Sequence, residues 1–169
     1  MSIRQVTFQG SPLTLEGTEP VVGSPAPAFS VLANDLSPVT EAVLRGKVSV
    51  IVTVPSLDTP VCDTEVRRFN REAAGLGPQV QILCVSADLP FAQARWCGAA
   101  GINAVRTLSD HRDLSLGRAF GVVIKELRLL ARAVFVTDAA GVVRYAQLVP
   151  EITQEPDYAA VLAAVKKLV

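Results

Sequence analysis

Three short apolar runs constrain the fold of this chain more than any other feature of its sequence. They are rich in β-branched residues, end at turn formers or charges, and cover residues 48–54, 80–85 and 133–136. Continuous apolar runs of this length are typical of strands that are buried on both faces of a sheet. Residues 142–148 indicate a further strand, which a turn at residues 137–141 joins to the third run as a hairpin.

Helical patterns lie between these runs. In the first pattern Cys62, Val66, Phe69 and Ala73 recur at spacings of four, three and four, so they share one helical face. Further helices are predicted over residues 91–100, 114–120 and, starting at Pro156, 156–168. Helices that alternate with buried strands predict an α/β fold, with a central mixed sheet flanked by helices.

The N-terminal part of the chain predicts a β-hairpin followed by a connector. Residues 3–8 and 13–15 alternate apolar and polar side chains around turn formers at residues 9–12. Residues 23–29 contain two prolines, which exclude a helix interior there. Since the chain has 169 residues and no internal repeat or linker, residues 1–169 are expected to form a single domain.

Charge and cysteine content narrow the class of function. The chain has 16 basic and 16 acidic residues, so its balance favours neither nucleic acid nor an anionic membrane as a partner. It shows no signal-peptide pattern and no apolar run of the roughly 20 residues that span a bilayer, which predicts a cytoplasmic location. Three cysteines are too few, and odd in number, for a disulfide framework, so they are interpreted as thiols with possible chemistry.

Cys62 stands where the chain leaves the first apolar run and is expected to turn into a helix. In the first turn of a helix, free backbone N–H groups and the helix dipole favour an anion such as a thiolate. Asp63 and Glu65 lie in the same turn, and their negative charges oppose a thiolate. A cation is therefore needed, and the candidate is Arg132, which enters an apolar strand where an unpaired charge is costly. The same spacing also fits a Cys62 that is only a small buried hydrophobic residue.

The turn before Cys62 adds a hydroxyl between two prolines. Thr59 can accept a hydrogen bond from one group while it donates to a thiolate or to a bound oxygen. Pro55 and Pro60 fix φ on either side of Thr59 and stiffen the loop. This combination favours a reactive Cys62 over a purely structural one.

At these residues the sequence resembles the peroxiredoxins, and within them the bacterial thiol peroxidase subgroup. The active-site pattern of that family, P-x-x-x-T/S-x-x-C, is matched by Pro55, Thr59 and Cys62. The resemblance extends in order over nearly the whole chain, through the segments VTFQGSPLTL, VGSPAPAFSV, LCVSADLPFAQARWC, LLARAVFV and AQLVPEITQEPDY. It implies a thioredoxin-like fold with an N-terminal β-hairpin.

The resemblance also implies a role for each candidate site residue. Cys62 is implied to be the peroxidatic cysteine that reduces hydrogen peroxide and alkyl hydroperoxides, and Cys97 the resolving cysteine that closes an intramolecular disulfide. Thr59 and Arg132 are implied to activate Cys62 and polarise the peroxide, while Pro55 shields the pocket. Thioredoxin is the implied reductant, a homodimer is the implied assembly, and neither a cofactor nor a metal is required.

Disulfide formation places a geometric demand on the fold. Cys62 opens one predicted helix and Cys97 lies towards the end of another, whereas a disulfide needs Cα atoms within about 7 Å. We therefore expect the first turn around Cys62 and the end of the second helix to unwind locally. Gly98 and Gly101 lower the cost of the second change.

The remaining candidates are interpreted more simply. Cys84 lies inside the second apolar run and is expected to be an inert, buried thiol whose pKa is raised. Trp96 is interpreted as an anchor for its helix, with a docking surface for the reductant as the alternative.

Other functions need different patterns. A metal site built from Cys62, Cys84, Cys97 and His111 lacks the C-x₂₋₄-C pairs of structural zinc sites. A thioredoxin-type oxidoreductase needs C-x-x-C, which is absent from the sequence. A non-enzymatic redox sensor that uses the same Cys62–Cys97 switch stays open, because it needs the same reactive thiol and resolver.

Overall fold

A computed structural model describes residues 3–169 and places the three apolar runs at the centre of a seven-stranded sheet. In spatial order its strands are β11 (Val143–Leu148), β10 (Ala133–Thr137), β5 (Val48–Thr53), β6 (Val80–Ser86), β7 (Val105–Ser109), β3 (Ser30–Leu32) and β4 (Pro38–Thr40). Strands β5, β6 and β7 are parallel, and the outer pairs are antiparallel. The predicted mixed sheet is confirmed, as is the β10–β11 hairpin.

A second, four-stranded sheet contains the predicted N-terminal hairpin. Its strands, in spatial order, are β1 (Gln5–Phe8), β2 (Ser11–Glu16), β8 (Val123–Ile124) and β9 (Leu129–Leu130). The sequence did not predict β8 and β9, since strands of two residues are too short for any periodicity. It also missed β3, β4 and β7, and in β7 two polar residues interrupt the apolar pattern.

The helices begin and end close to the predicted residues. They are α1 (Pro60–Ala73), α2 (Pro90–Ala100), α3 (Ser115–Ala119) and α4 (Tyr158–Lys166), with a 3₁₀ turn at Glu41–Leu44. The prediction that the last helix starts at Pro156 is wrong. The side chain of Asp157 accepts a hydrogen bond from the amide of Ala160 at 3.0 Å, and this cap starts α4 two residues later.

The central sheet separates two apolar layers. On one face the buried side of α1, with Val66 and Phe69, packs together with Val161 of α4 over alternate residues of β5. On the other face Ile51 of β5 packs beneath α3 and the small sheet, together with Phe120. This arrangement places α1, α2 and α4 on one face and brings the start of α1 to the carboxyl end of β5. Of the helices within residues 3–169, none has both the length and the apolar character needed to cross a bilayer.

Candidate active site

Cys62 lies in the first turn of α1, directly after the loop that leaves β5. Cys62 is 0% exposed and belongs to the same apolar cluster as Val66 and Phe69. The predicted shared face of Cys62, Val66 and Phe69 is therefore confirmed. Burial alone fits both a structural and a reactive thiol, so the polar groups around the sulfur decide what it can do.

Arg132 supplies a cation directly to this sulfur. It is 1% exposed, lies in the connection between β9 and β10, and donates from Nη2 to Cys62 Sγ at 3.2 Å. Its Nε and Nη2 also donate to the carbonyl of Ile152 at 3.0 and 2.8 Å. A charge-assisted hydrogen bond of this kind stabilises negative charge on the sulfur. By accepting from two of its nitrogens, the carbonyl fixes the guanidinium, so the donor is already aimed before any substrate arrives.

Glu65 lies in the second turn of α1, so the prediction that it shares the first turn with Cys62 is wrong. Instead of only opposing a thiolate, its buried carboxylate pairs with Nη1 of Arg132. Burial raises the pKa of Glu65 to about 7, while the charge of Arg132 opposes this rise. Burial alone would lower the pKa of Arg132, but the negative charges of Glu65 and Cys62 raise it above its usual value. The guanidinium therefore stays charged and is shared between a carboxylate and a sulfur.

The segment that presents the Ile152 carbonyl is held by the N-terminal hairpin. The amide of Thr7 in β1 donates to Pro150 O at 2.7 Å, and the amide of Ile152 donates back to Thr7 O at 2.9 Å. Glu151 accepts from the hydroxyl of Thr7 at 3.0 Å and from the amide of Gly10 at 2.9 Å. The N-terminal hairpin thus supports Arg132 indirectly, by holding the segment whose Ile152 carbonyl accepts from the guanidinium.

The loop between β5 and α1 is tied to the neighbouring strand by Asp88. The hydroxyl of Ser56 and the amide of Leu57 donate to the two Asp88 carboxylate oxygens at 2.7 and 2.9 Å. Pro55 is buried at the base of this loop. Thr59 donates its hydroxyl proton to Ser56 O at 2.8 Å. The expected donation from Thr59 to the sulfur is therefore not seen, because that proton is already used within the turn.

Cys97 and Cys62 have different hydrogen-bond partners. It is half-buried in α2, and its Sγ is 3.5 Å from the hydroxyl of Thr107 in β7, whereas Cys62 contacts Arg132 at the start of β10. Strands β5 and β6 lie between β10, which follows Arg132, and β7, which carries Thr107. All three cysteines are free thiols in this conformation. The movement of both helix segments that a Cys62–Cys97 disulfide needs stays a prediction from the sequence.

Comparisons with known proteins identify the family of this chain. The family model described as Redoxin matches residues 21–162. The chain belongs to the Redoxin family. Among curated proteins, it is 58% identical to the thiol peroxidase of Bacillus subtilis over 165 residues, which are 98% of both chains. It is 53% identical to the thiol peroxidase of Staphylococcus aureus (strain MRSA252), covering 97% of this chain and 99% of that one.

Solved structures give the same fold. A peroxiredoxin-like protein from Aquifex aeolicus superposes with a TM-score of 0.91 at 46% identity, covering 98% of each chain. Thiol peroxidase from Chromobacterium violaceum, at 22% identity, supports the fold alone, with a TM-score of 0.86 over 96% of this chain and 95% of that one. This member of the Redoxin family is thus a thiol-dependent peroxidase with a thioredoxin-like fold, which decides between an enzyme and a non-enzymatic sensor.

The third thiol of this thiol peroxidase is set apart from the other two by its surroundings. Cys84 is buried in the middle of β6, and the loss of solvent raises the pKa of its thiol far above the usual range. The prediction of a buried thiol with a raised pKa is confirmed. Among residues 3–169, no group of three or more His, Cys, Asp or Glu side chains is placed to hold a metal ion.

Sequence reasoning missed three groups that shape the site. The Ile152 carbonyl carried no signal, because any residue has one. Asp88 stood in the quoted segment LCVSADLPFAQARWC, but nothing in its spacing linked it to the loop before α1. Glu65 could have been found: it follows Cys62 by three residues, so it lies on the same buried face of α1, where a carboxylate needs a partner.

Proposed function

We propose that this thiol peroxidase reduces hydrogen peroxide and alkyl hydroperoxides through Cys62. The observation that carries this proposal is the 3.2 Å contact between Arg132 Nη2 and Cys62 Sγ in a buried site at the start of α1. The thiolate of Cys62 attacks the near oxygen of the peroxide, and the O–O bond breaks. The sulfur becomes a sulfenic acid, and the far oxygen leaves as hydroxide or alkoxide and is protonated to water or an alcohol.

Fixed donors support this step. Arg132 and the free N–H groups of the first turn of α1 lie where negative charge develops on the peroxide oxygens. Since Thr59 already donates to Ser56 O, its oxygen is available to accept the O–H of the incoming hydroperoxide. Thr59 and Arg132 thus bind opposite ends of the polarised O–H group, and buried Pro55 keeps water from the loop side.

The substrate enters beside the first turn of α1. A cavity of about 330 Å³ flanks this turn and is lined by Pro60, Val61 and Thr64, with residues 153–155 opposite them. Because Cys62 itself has no exposed surface, small shifts of this turn admit the peroxide. The apolar side chain of Val61 suits the alkyl part of an organic hydroperoxide.

Cys97 then resolves the sulfenic acid. Its thiol attacks the Cys62 sulfur, an S–S bond forms, and the sulfenic oxygen leaves as water with the thiol proton. An external dithiol protein of the thioredoxin type reduces this disulfide by thiol–disulfide exchange, which returns both cysteines to thiols.

The test is peroxide-dependent oxidation of NADPH in the presence of thioredoxin and its reductase. We expect Cys62→Ser to abolish turnover, and Cys97→Ser to consume one equivalent of peroxide and then stop. Cys84→Ser is the matched control and should keep turning over. Sustained turnover by the Cys62→Ser variant would show that another group carries the reaction.

We further propose that residues 1–169 act as one domain that assembles as a homodimer in the cytoplasm. Zero net charge argues against nucleic acid and anionic membranes as partners. A catalytic cycle that passes through free thiols suits a reducing compartment. Sedimentation of the reduced protein at micromolar concentration tests the assembly, and a purely monomeric species would exclude it.

A further inference from the structure

A stripe of polar residues on α1 contacts the part of the chain that carries Cys97. Asp63, Arg67 and Asn70 recur at spacings of four and three, each one position after a member of the buried Cys62, Val66, Phe69 face. They therefore share one side of the helix, next to its apolar face. All three side chains make hydrogen bonds to residues 96–104, and we call these three residues the clasp.

The first contact of the clasp joins the immediate neighbours of the two cysteines. Asp63, which follows Cys62, accepts through Oδ1 from the indole N–H of Trp96, which precedes Cys97, at 2.9 Å. Trp96 is half-buried and packs against the same apolar cluster as Cys62. Trp96, which is predicted to anchor its helix, thus has a specific hydrogen-bond partner on α1, the carboxylate of Asp63.

The other two contacts extend the clasp past the end of α2. Arg67 donates to Oδ2 of Asp63 at 2.8 Å and to the Ala100 carbonyl at 3.4 Å, near the helix terminus. Asn70 accepts through Oδ1 from the amides of Asn103 and Ala104 at 3.3 and 2.8 Å.

The clasp holds the end of α2, where glycines weaken the helix. Gly98 lies inside its last turn, and α2 ends at Gly101 in the left-handed conformation, with φ of 68°. Glycine costs about 1 kcal/mol relative to alanine in a helix interior, so this turn is intrinsically weak. Each clasp contact is at least partly exposed, and such contacts break far more easily than the buried pair of Arg132 and Glu65.

We propose that the clasp sets the rate at which the sulfenic acid of Cys62 is resolved by Cys97. The proposal rests on the resolving role of Cys97 given above. While the clasp is closed, Cys97 stays beside Thr107 and Cys62 stays beside Arg132. Its opening frees residues 96–104, together with the first turn of α1, so that the two sulfurs can meet. Asp63, Arg67 and Asn70 are thus positioning residues that act on the second chemical step and leave the first unchanged.

The experiment follows a single turnover of the full chain. Reduced protein is mixed with one equivalent of hydrogen peroxide and quenched at intervals with a thiol-blocking reagent. Mass spectrometry then separates thiol, sulfenic acid and disulfide. Trp96→Phe keeps an aromatic ring and removes the N–H donor, Asn70→Ala removes the third contact, and Arg71→Ala, an exposed position on α1 outside the clasp, is the matched control.

We expect oxidation of Cys62 to stay within twofold of the parent in all three variants. Disulfide formation should become about fivefold to tenfold faster in Trp96→Phe, which loses one hydrogen bond, and in Asn70→Ala, which loses two, and should be unchanged in Arg71→Ala. At excess peroxide the two clasp variants should also accumulate less sulfinic acid at Cys62, because the sulfenic acid is exposed to peroxide for a shorter time.

Unchanged or slower disulfide formation in both clasp variants, with normal oxidation of Cys62, would overturn the clasp and leave the proposed function standing. Failure of the parent protein to oxidise Cys62 would instead overturn the proposed function.

Hydrogen exchange of the parent protein gives a readout that does not depend on the folding of any variant. Amides of residues 97–104 should exchange together, faster than those of β5, and equal protection of the two segments would also overturn the clasp.

Discussion

The surroundings of Cys62 and Cys97 differ in almost every physical respect, although both are cysteines on helices over the same face of the sheet. Cys62 is buried and contacts a buried guanidinium that is itself fixed by a carboxylate and a carbonyl. Cys97 is half-buried and lies in a helical turn that contains glycine, and within residues 3–169 the one hydrogen bond of its sulfur is with the hydroxyl of Thr107.

This difference matches the two steps of the proposed cycle. Attack on a peroxide needs donors that are aligned in advance in a site with little water, and a buried ion pair provides this. Resolution needs movement, and partly exposed contacts that break at a cost of about 1 kcal/mol or less permit it. We infer that the protein keeps the Arg132 network rigid and lets the end of α2 open.

The largest effect should come from Arg132→Lys. A lysine has one compact ammonium and cannot donate at once towards Cys62, Glu65 and the Ile152 carbonyl. We expect the second-order rate of Cys62 oxidation to fall by about 100- to 1000-fold, the usual effect of removing an aligned donor. Stopped-flow measurement of thiol loss checks this, with Arg144→Lys, in an exposed pair with Asp138, as the control. A fall of less than tenfold would mean that the helix terminus alone activates Cys62.

A smaller effect, on stability, should come from Glu65→Gln. Burial raises the pKa of Glu65 from its ordinary value of 4.5 to about 7. A carboxyl with a raised pKa in the folded state contributes stability that is complete below pH 4.5 and is lost as the pH rises towards 7. The free energy of unfolding of the parent protein, relative to the Gln variant, should therefore fall by about 3 kcal/mol between pH 4.5 and 8.

Urea unfolding of both proteins across this pH range gives the required difference. Because the Gln variant lacks the titrating group, subtraction cancels other carboxyls such as Asp110, whose pKa burial raises to about 6. A difference that grows with pH instead would show that the attraction between Glu65 and Arg132 outweighs burial.

Glu151→Gln should modestly slow the oxidation of Cys62 and leave resolution by Cys97 unchanged. Its carboxylate fastens the segment that holds the Ile152 carbonyl to the hairpin, and hydrogen bonds to Thr153 and Gly10 lower its pKa to about 2. We expect Cys62 oxidation to slow by about twofold to fivefold, since weaker hydrogen bonds loosen the support of Arg132, while resolution is unchanged. Glu126→Gln, which binds the amide of Thr14 elsewhere on the hairpin, is the control. Equal slowing in both variants would point to a general effect of the hairpin.

The smallest effect on activity should come from Cys84→Ala. Since Cys84 is enclosed in β6 and its pKa is raised, peroxide turnover should stay within twofold of the parent. The loss of buried volume should lower the free energy of unfolding by about 1 to 2 kcal/mol. A turnover assay and urea unfolding on the same variant check both values, and a large loss of turnover would give Cys84 a part in the cycle.

The sequence predicted the central elements because their signals are local. Apolar runs of six or seven residues identified β5 and β6, and the helical spacing after Cys62 identified α1 with its buried face. It could not predict β8 and β9, because β8 is held by pairing with β2, and β9 by pairing with β8, rather than by their own composition. The start of α4 was also missed, because a cap at Asp157 competes with a proline at Pro156, and only the folded chain shows which one is used.

By itself the sequence determined that a thiol stands at the start of a helix, behind a stiff loop, in a chain of the α/β class. Those properties follow from residue types and short spacings along one segment. Only the tertiary structure decided that Glu65 pairs with Arg132, that Thr59 donates to Ser56, and that the clasp spans the two cysteine-bearing segments. The physical reason is that a buried charge finds its partner wherever packing brings one, and the partner here stands 67 residues further along the chain.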